Sequence, residues 1–271
     1  MDKCIFSSLL SLLSLSSLLS LVFSDTDTLI KDMGNGNSLT PFYLMKNRVY
    51  FFVMQKENSL NLIEIFASVQ GETSFTGLPT TFIRLARCNL RCTWCDTTYS
   101  FGRGTPMSLP EIFNQVRTFG CSYICVTGGE PLLQDNVYPL MKTLCDEGYK
   151  VSLETSGSLT TANVDPRVSV ILDVKCPGSA MSDKNHWPNL DALRPFDEVK
   201  FVIQDETDYL YAKQICQKHQ LFSKVNNVLF SPVFGTLNPQ QLVEWILKDK
   251  IPVRLNMQIH KFIWLPETKG V

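Results

Sequence analysis

The amino-acid sequence predicts an α/β fold built on a mostly parallel sheet. From about residue 61, runs that are nearly continuous in apolar residues alternate with segments whose apolar residues recur at helical spacing. Strands of this kind are typical of a parallel sheet covered on at least one face. A length of 271 residues and a hydrophobic content of 44% are ordinary for a globular core of one large or two small domains.

The predicted elements follow in chain order. Strands are predicted at residues 80–86, 122–129, 150–157, 168–175, 197–203, 227–232 and 253–258, and helices at 108–120, 136–148, 206–220 and 238–250. The first helix has Ser108 at its start and Glu111 three residues later, which is the capping-box pattern. Gly148 ends the second helix.

The first sixty residues differ in character. Residues 4–23 carry no charge, and an apolar stretch of about twenty residues ordinarily indicates a membrane helix or a signal peptide. Serine recurs at nearly every second or third position, however, and no small-residue cleavage site follows. We therefore expect residues 1–60 to be a low-complexity leader, disordered or non-native, with Met45 or Met54 as the true start. A genuine signal or anchor is the alternative, and residues 61–271 are the expected catalytic domain.

The charge balance and the cysteines limit the partners and the compartment. With 25 basic against 26 acidic residues there is no block of positive charge, so nucleic acid is not an expected partner. Nine cysteines would leave one unpaired, and a chain of this length does not need disulfides, which favours a reducing cytoplasm without membrane attachment. Five cysteines are read as small buried hydrophobes, with Cys176 as the one expected to be exposed: Cys121, Cys125, Cys145, Cys176 and Cys216.

Cys88, Cys92 and Cys95 place three thiols within eight residues. Structural zinc usually takes four protein ligands, and no second pair stands nearby. A cubane iron–sulfur cluster held by three thiolates leaves its fourth iron open to a small molecule. Further polar groups follow the next strands, as TGGEP (127–131), ETSG (154–157) and DVK (173–175), and the carboxyl ends of parallel strands share one edge of a sheet.

These motifs resemble those of a known superfamily. CNLRCTWC has the spacing of the radical S-adenosylmethionine superfamily, and GGEP matches its second signature. EIFASVQGET (64–73) and MQIHKFIWLPETKGV (257–271) are similar to the 7-carboxy-7-deazaguanine synthase family, and the resemblance spans residues 62–271. It implies a partial (β/α) barrel and a lyase of 7-deazapurine (queuosine) biosynthesis. With a 4Fe-4S cluster and S-adenosyl-L-methionine, such an enzyme converts 6-carboxy-5,6,7,8-tetrahydropterin to 7-carboxy-7-deazaguanine with loss of ammonia.

The resemblance also implies roles for individual residues. Cys88, Cys92 and Cys95 would hold the cluster, and Thr97 would bind Mg2+. The implied cofactor contacts are Gly128, Gly129, Glu130, Glu154, Ser156, Asp173 and Lys175. The implied substrate contacts are Gln70, Glu72, Arg84, Asp96, Thr127 and His260. The family further implies a homodimer and an electron donor of the flavodoxin or ferredoxin type.

The chain departs from the family pattern at four places. Relatives usually carry glycine where this chain has Thr73 and Arg87, and commonly asparagine where it has Ser156. One branch ends near the position of Pro266, whereas this chain continues for five residues. These departures leave open whether the terminal carboxylate has a role. They also leave open how Arg87 fits beside the cluster.

Alternatives remain for the protein and for single residues. A radical activating enzyme acting on a protein partner and a non-catalytic zinc-binding module both use clustered cysteines. Arg84 could form a plain ion pair, His260 could be structural, and Asp96 or Thr97 could cap the turn that follows them.

Overall fold

The computed structural model describes residues 58–271 and three short strands before them. The strands are β1 (Leu29–Ile30), β2 (Phe42–Met45) and β3 (Arg48–Phe51), which pair in that order as an antiparallel sheet. Residues 58–271 form a compact unit of their own. Apart from those strands and its last three residues, the expected leader lies outside the described residues, so that expectation stays a prediction.

A nine-stranded sheet is the framework of residues 58–271. Its strands are β4 (Ser59–Val69), β5 (Pro79–Leu85), β6 (Thr105–Ser108), β7 (Tyr123–Gly128), β8 (Lys150–Thr155), β9 (Ser169–Asp173), β10 (Glu198–Ile203), β11 (Asn227–Pro232) and β12 (Arg254–Leu255). Their order is β12-β11-β10-β9-β8-β7-β5-β4-β6, and all neighbours pair in parallel except β4 with β5 and with β6. The predicted α/β class with a mostly parallel sheet is confirmed.

Two features of the sheet differ from the prediction. The antiparallel strands β4 and β6 at one edge were not predicted as strands. The last predicted strand, 253–258, shortens to Arg254–Leu255. Asn256, the next residue, still donates its backbone N–H to the Phe230 carbonyl of β11 at 2.9 Å, while its side chain donates to the Ser231 hydroxyl at 2.8 Å and accepts the Thr73 backbone N–H at 2.7 Å.

The helices are α1 (Leu109–Phe119), α2 (Val137–Asp146), α3 (Pro188–Asp191), α4 (Glu206–Lys218), α5 (Leu221–Lys224), α6 (Pro239–Asp249) and α7 (His260–Ile263). The four long ones match the four predicted helices. The Ser108 backbone N–H donates to Glu111 Oε2 at 2.8 Å, as the capping-box pattern requires. None of the helices in the described residues combines the length and apolar character that a membrane span requires.

Apolar residues cover one face of the sheet and polar residues occupy the other. Ile83, Ile124 and Leu153 are fully buried against α1 and α2, and a second cluster around Phe201 and Phe230 packs against α4, α5 and α6. Side chains alternate between faces along a strand. The neighbours of these core residues in β5, β7 and β8 therefore point the other way, into the concave side of a partial barrel, where the polar groups collect.

The free cysteines outside the 88–95 segment mostly behave as small hydrophobes. Cys125, Cys176 and Cys216 are buried, and Cys121 and Cys145 are half-buried. Cys176, the one candidate for exposure, is only 1% exposed and packs in the second core cluster, so it too is a small buried hydrophobe. Burial raises its pKa well above that of an ordinary thiol.

Candidate active site

The cysteine loop, residues 88–95, follows β5 directly. Its start is fixed by Arg87, whose backbone N–H donates to the Ser100 carbonyl at 2.7 Å. Cys88, Cys92 and Cys95 are free and partly exposed. Burial raises the pKa of both Cys88 and Cys92; negative charge on Cys95 adds to this, and the ammonium of Lys175 opposes it. The three thiols therefore lie within electrostatic range of one another and of a lysine on the same rim.

The chemistry of the three thiols suits an iron–sulfur cluster. Among residues 58–271, no three His, Cys, Asp or Glu side chains converge on one point where an ion could sit. In a 4Fe-4S cluster each cysteine binds a different iron, so the three sulfurs need not meet at one point. Soft thiolates in a partly apolar loop are the donors that such a cluster prefers.

The GGEP turn, residues 128–131, packs against the cysteine loop. The Gly129 backbone N–H donates to the Leu85 carbonyl at 3.1 Å, and the Glu130 N–H donates to the Arg87 carbonyl at 2.8 Å. A Cβ atom on Gly129 would overlap the Arg87 carbonyl oxygen, and one on Gly128 would lie 2.6 Å from the Leu85 carbonyl oxygen. Glycine is thus needed here for close backbone approach, which joins the two motifs into one surface.

Glu130 is fully buried beneath this surface. Its carboxylate accepts hydrogen bonds from the Leu132 N–H at 3.0 Å, the Thr155 hydroxyl at 2.9 Å and the Ser156 N–H at 2.8 Å. The side chain thereby ties the GGEP turn to the end of β8. Its contacts are internal, so the expected cofactor contact of Glu130 stays a prediction.

Asp173 and Lys175 lie at the end of β9. Lys175 Nζ is 2.9 Å from Asp173 Oδ2, and Lys200 Nζ from β10 is 3.8 Å from the same oxygen. Asp173 Oδ1 is buried without a hydrogen-bond partner among the described residues. A buried carboxylate oxygen of this kind suits a donor on a bound ligand, such as a hydroxyl group of S-adenosylmethionine.

Gln70, Thr127 and Glu154 meet on the concave face. Gln70 Nε2 donates to Glu154 Oε1 and the Thr127 hydroxyl donates to Glu154 Oε2, both at 3.2 Å. Gln70 and Thr127, both predicted substrate contacts, therefore bind the same carboxylate, which belongs to the predicted cofactor contact Glu154. Gln70 also accepts the Glu72 backbone N–H at 3.2 Å, which orders the loop that follows β4.

Glu72 is held by two residues that the sequence analysis missed. Lys200 Nζ donates to Glu72 Oε2 at 3.0 Å, and Gln258 Nε2 donates to Glu72 Oε1 at 2.9 Å. Burial raises the pKa of Glu72, but the charge and hydrogen bond of Lys200 together with the hydrogen bond from Gln258 outweigh burial, and the pKa lies below its usual value. The sequence did contain a signal for Lys200, because a charged residue in the middle of an apolar strand is unusual.

Asp96 and Thr97 follow the last cysteine. The Thr97 hydroxyl donates to Asp96 Oδ1 at 2.9 Å, and Lys261 Nζ donates to Asp96 Oδ2 at 2.7 Å. Burial raises the pKa of Asp96, but the charge of Lys261 and the hydrogen bonds from Lys261, Thr97 and Gln258 together outweigh burial and hold the pKa well below its usual value. The turn at residues 98–101 receives no side-chain cap from Thr97, which disfavours the capping alternative. Lys261 is the third missed residue.

Arg84 and His260, two further predicted substrate contacts, each contact other residues of the fold. Arg84 Nε is 2.7 Å from Glu64 Oε1, an ion pair that uses one edge of the guanidinium. The His260 ring fills the space beside Gly71, where a Cβ atom would overlap it, and the neighbouring Ile259 N–H donates to the Gly71 carbonyl at 2.9 Å. Burial lowers the pKa of His260, so a neutral imidazole faces the loop.

A separate cavity of about 260 Å³ opens at the amino ends of the parallel strands, away from the cysteine loop. Of the predicted site residues, Gln70 alone lines it. The others gather at the carboxyl ends of the strands or on the concave face, as expected for this class of fold.

Comparison with known proteins agrees with this geometry. A sequence profile described as the Radical SAM superfamily matches residues 82–178. The 7-carboxy-7-deazaguanine synthase of Koribacter versatilis (strain Ellin345) is 48% identical over 226 residues, which are 78% of this chain and all of the relative. The enzyme of the same name from Chlorobaculum tepidum is 45% identical over 80% of this chain and all of the relative.

A solved structure shows the same fold. The crystal structure of QueE from Escherichia coli superimposes with a TM-score of 0.62 at 22% identity, covering 73% of this chain and 93% of that chain. At that identity the similarity concerns the fold alone, and the sequence relatives decide the family. The chain belongs to the 7-carboxy-7-deazaguanine synthase family of the radical S-adenosylmethionine superfamily.

Proposed function

We propose that the protein converts 6-carboxy-5,6,7,8-tetrahydropterin to 7-carboxy-7-deazaguanine with loss of ammonia, as a step of 7-deazapurine (queuosine) biosynthesis. The observation that carries this proposal is the position of Glu72. Its carboxylate is held by Lys200 and Gln258, and its backbone N–H donates to Gln70, which in turn donates to Glu154 on the concave face. A carboxylate among hydrogen-bonding side chains is the partner that the N–H groups of a pterin ring require.

The cofactors would be held by the residues on the rim. Cys88, Cys92 and Cys95 suit a 4Fe-4S cluster, and the partly exposed backbone of Gly128 and Gly129 suits the methionine part of S-adenosylmethionine. Asp173 Oδ1, Ser156 and Lys175 remain as polar contacts for the rest of the cofactor. When bound, the cluster and S-adenosylmethionine would supply one-electron chemistry that side chains cannot perform.

The chain's own residues would bind and orient the substrate. Lys200 keeps Glu72 ionised, so that this carboxylate accepts hydrogen bonds and does not donate them. Arg84 presents a planar guanidinium to which the substrate carboxylate can bind. His260 is neutral because burial lowers its pKa, and its ring lies against Gly71 in the loop that follows β4.

Mg2+ is a further proposed cofactor. The hydroxyl of Thr97 and the carboxylate of Asp96 are adjacent oxygen ligands of the kind that Mg2+ prefers. Mg2+ usually keeps several waters and takes few protein ligands, and the substrate's carboxylate would complete the set. We expect Thr97→Ala to weaken magnesium stimulation while the cluster and S-adenosylmethionine binding persist.

The remaining partners are also proposals. An electron donor of the flavodoxin or ferredoxin type, a homodimer and a cytoplasmic location all follow from the family. The eight free cysteines among residues 58–271 support a reducing compartment, because no disulfide forms among them.

Substrate kinetics of Glu72→Gln test the proposed role of the site. We expect KM for the carboxytetrahydropterin to rise at least tenfold while S-adenosylmethionine affinity stays within twofold. Glu206→Gln, an exposed position at the start of α4, is the matched control and should change neither quantity. An unchanged KM in Glu72→Gln would remove Glu72 from the substrate site.

A further inference from the structure

The ammonium of Lys261 lies beside the Asp96 carboxylate, which is also part of the proposed magnesium site. Its Nζ is 2.7 Å from Asp96 Oδ2, and its side chain is only 8% exposed although the Asp96 side chain is 50% exposed. Two more contacts hold the ammonium. It donates to Gln258 Oε1 at 2.8 Å and lies 5.1 Å from the centroid of the Phe234 ring. Lys261 is therefore ordered by three contacts and is not a freely mobile surface lysine.

The position of this ammonium conflicts with a metal ion next to it. Asp96 Oδ1 accepts the Thr97 hydroxyl, so Oδ2 is the carboxylate oxygen that faces Lys261. A divalent ion and an ammonium on one carboxylate repel each other strongly when both are partly shielded from water. A metal ion at Asp96 therefore either displaces the ammonium from Oδ2 or binds against its charge, and in both cases Lys261 weakens metal binding.

We propose that Lys261 is a resident counter-ion of Asp96 that competes with Mg2+ and thereby sets the Mg2+ concentration that the enzyme needs. This rests on the magnesium site of the proposed function. The contacts of Lys261 give it a place to go, because Gln258 Oε1 and the Phe234 ring can keep the ammonium once it leaves Asp96.

Replacement of Lys261 by Mg2+ at Asp96 would also affect the loop after β4, which carries Glu72. Gln258 Nε2 donates both to Asp96 Oδ2 at 3.2 Å and to Glu72 Oε1 at 2.9 Å. When Mg2+ takes Asp96, Gln258 loses one of its two acceptors and remains on Glu72. Metal binding and the orientation of Glu72 are thus connected through one amide side chain.

Direct metal binding tests the competition without turnover. Mn2+ is titrated into the cluster-loaded enzyme with S-adenosylmethionine and the carboxytetrahydropterin but no electron donor, free Mn2+ is measured by electron paramagnetic resonance, and Mg2+ is added as competitor. We expect Lys261→Met to bind both ions at least fivefold more tightly than the wild type. Lys261→Arg, which keeps the charge, should bind them like the wild type, and so should Lys248→Met, an exposed lysine on α6.

The outcomes separate the two proposals. Equal or weaker metal binding by Lys261→Met overturns the competition and leaves the magnesium site standing. Absence of binding to every variant overturns the magnesium site and the competition together. If Lys261→Met does not accumulate as folded protein, Lys261→Gln gives the same comparison. As a second readout, Mg2+ should raise the melting temperature of the neutral variant more than that of the wild type.

Discussion

Lys200 donates a hydrogen bond to the carboxylate of Glu72 at 3.0 Å across 128 positions of the chain. The lysine comes from the middle of β10 and the glutamate from the loop after β4, so the pair fixes a loop of the site to the sheet. Both side chains are nearly buried, at 12% and 15% exposure. A buried pair of this kind stabilises little in net terms but is costly to break, because the remaining charge is left without a partner.

Lys200→Met should therefore lower the free energy of unfolding by about 3 kcal/mol and raise KM for the pterin substrate. Urea unfolding and substrate kinetics measure the two effects. Lys142→Met is the control, since its ion pair with Asp146 on α2 is exposed and exposed pairs contribute at most about 1 kcal/mol. Equal free energies of unfolding in the two variants would contradict the claim that the buried Lys200–Glu72 pair is costly to break.

Replacing any one of Cys88, Cys92 or Cys95 by alanine should abolish the cluster and turnover. Each thiolate would hold a different iron, and no neighbouring cysteine can substitute at that spacing. Cys145→Ala should keep the cluster, because Cys145 is on α2 and packs against the first core cluster. Iron and sulfide analysis after anaerobic purification reads the result. Deoxyadenosine formation by Cys92→Ala would refute the assignment.

Gly129→Ala should disrupt S-adenosylmethionine binding and lower the free energy of unfolding by about 2 kcal/mol. The added methyl group would overlap the Arg87 carbonyl oxygen and force the GGEP turn away from the cysteine loop. Gly102→Ala is the matched control, because its Cβ would meet its nearest neighbour at 3.8 Å. Calorimetric titration of the cofactor compares them, and normal affinity in Gly129→Ala would contradict the close packing of the two motifs.

Arg87→Gly should stabilise the protein by about 0.5–1 kcal/mol. Arg87 has a φ of 74°, in the left-handed region that costs every residue except glycine. Arg87→Ala keeps that strain and should give no gain, so the pair separates backbone strain from loss of the side chain. Thermal and urea unfolding measure both. A gain in Arg87→Ala equal to that in Arg87→Gly would show that the side chain, and not φ, carries the cost.

Two departures from the family pattern now have a physical explanation. Thr73 and Arg87, where relatives usually carry glycine, have φ values of 67° and 74°. For Thr73 the conformation is fixed by neighbours, because its N–H donates to Asn256 Oδ1 and its hydroxyl accepts the Phe75 N–H at 3.1 Å. The sequence showed that these positions were unusual, and the backbone shows why glycine suits them.

The sequence predicted what depends on local pattern. The parallel strands and the four long helices follow from periodicity, and the clusters after β5, β7, β8 and β9 meet because the carboxyl ends of parallel strands share one edge. Strand β4 was not predicted, although it leads directly into the segment that carries Gln70 and Glu72. It lies near the antiparallel edge of the sheet, and most of its residues are only partly buried, so a continuous apolar run was absent.

Residues that act through distant partners could not be predicted. Lys261 and Asp96 are 165 positions apart, and Gln258 and Glu72 are 186 apart. Nothing in the local pattern of either residue indicates its partner, because the contact arises only when the C-terminal segment closes over the loop after β4. The internal hydrogen bonds of the Glu130 carboxylate were likewise not predicted, and its expected cofactor contact stays a prediction.

Product analysis tests the central proposal most directly. The protein is purified anaerobically, loaded with iron and sulfide, and incubated with S-adenosylmethionine, Mg2+, a one-electron reductant and 6-carboxy-5,6,7,8-tetrahydropterin. Mass spectrometry should then detect 7-carboxy-7-deazaguanine and an equal amount of ammonia, with no product when the pterin is omitted. Cleavage of S-adenosylmethionine by a fully loaded cluster without any 7-carboxy-7-deazaguanine would contradict the proposed function.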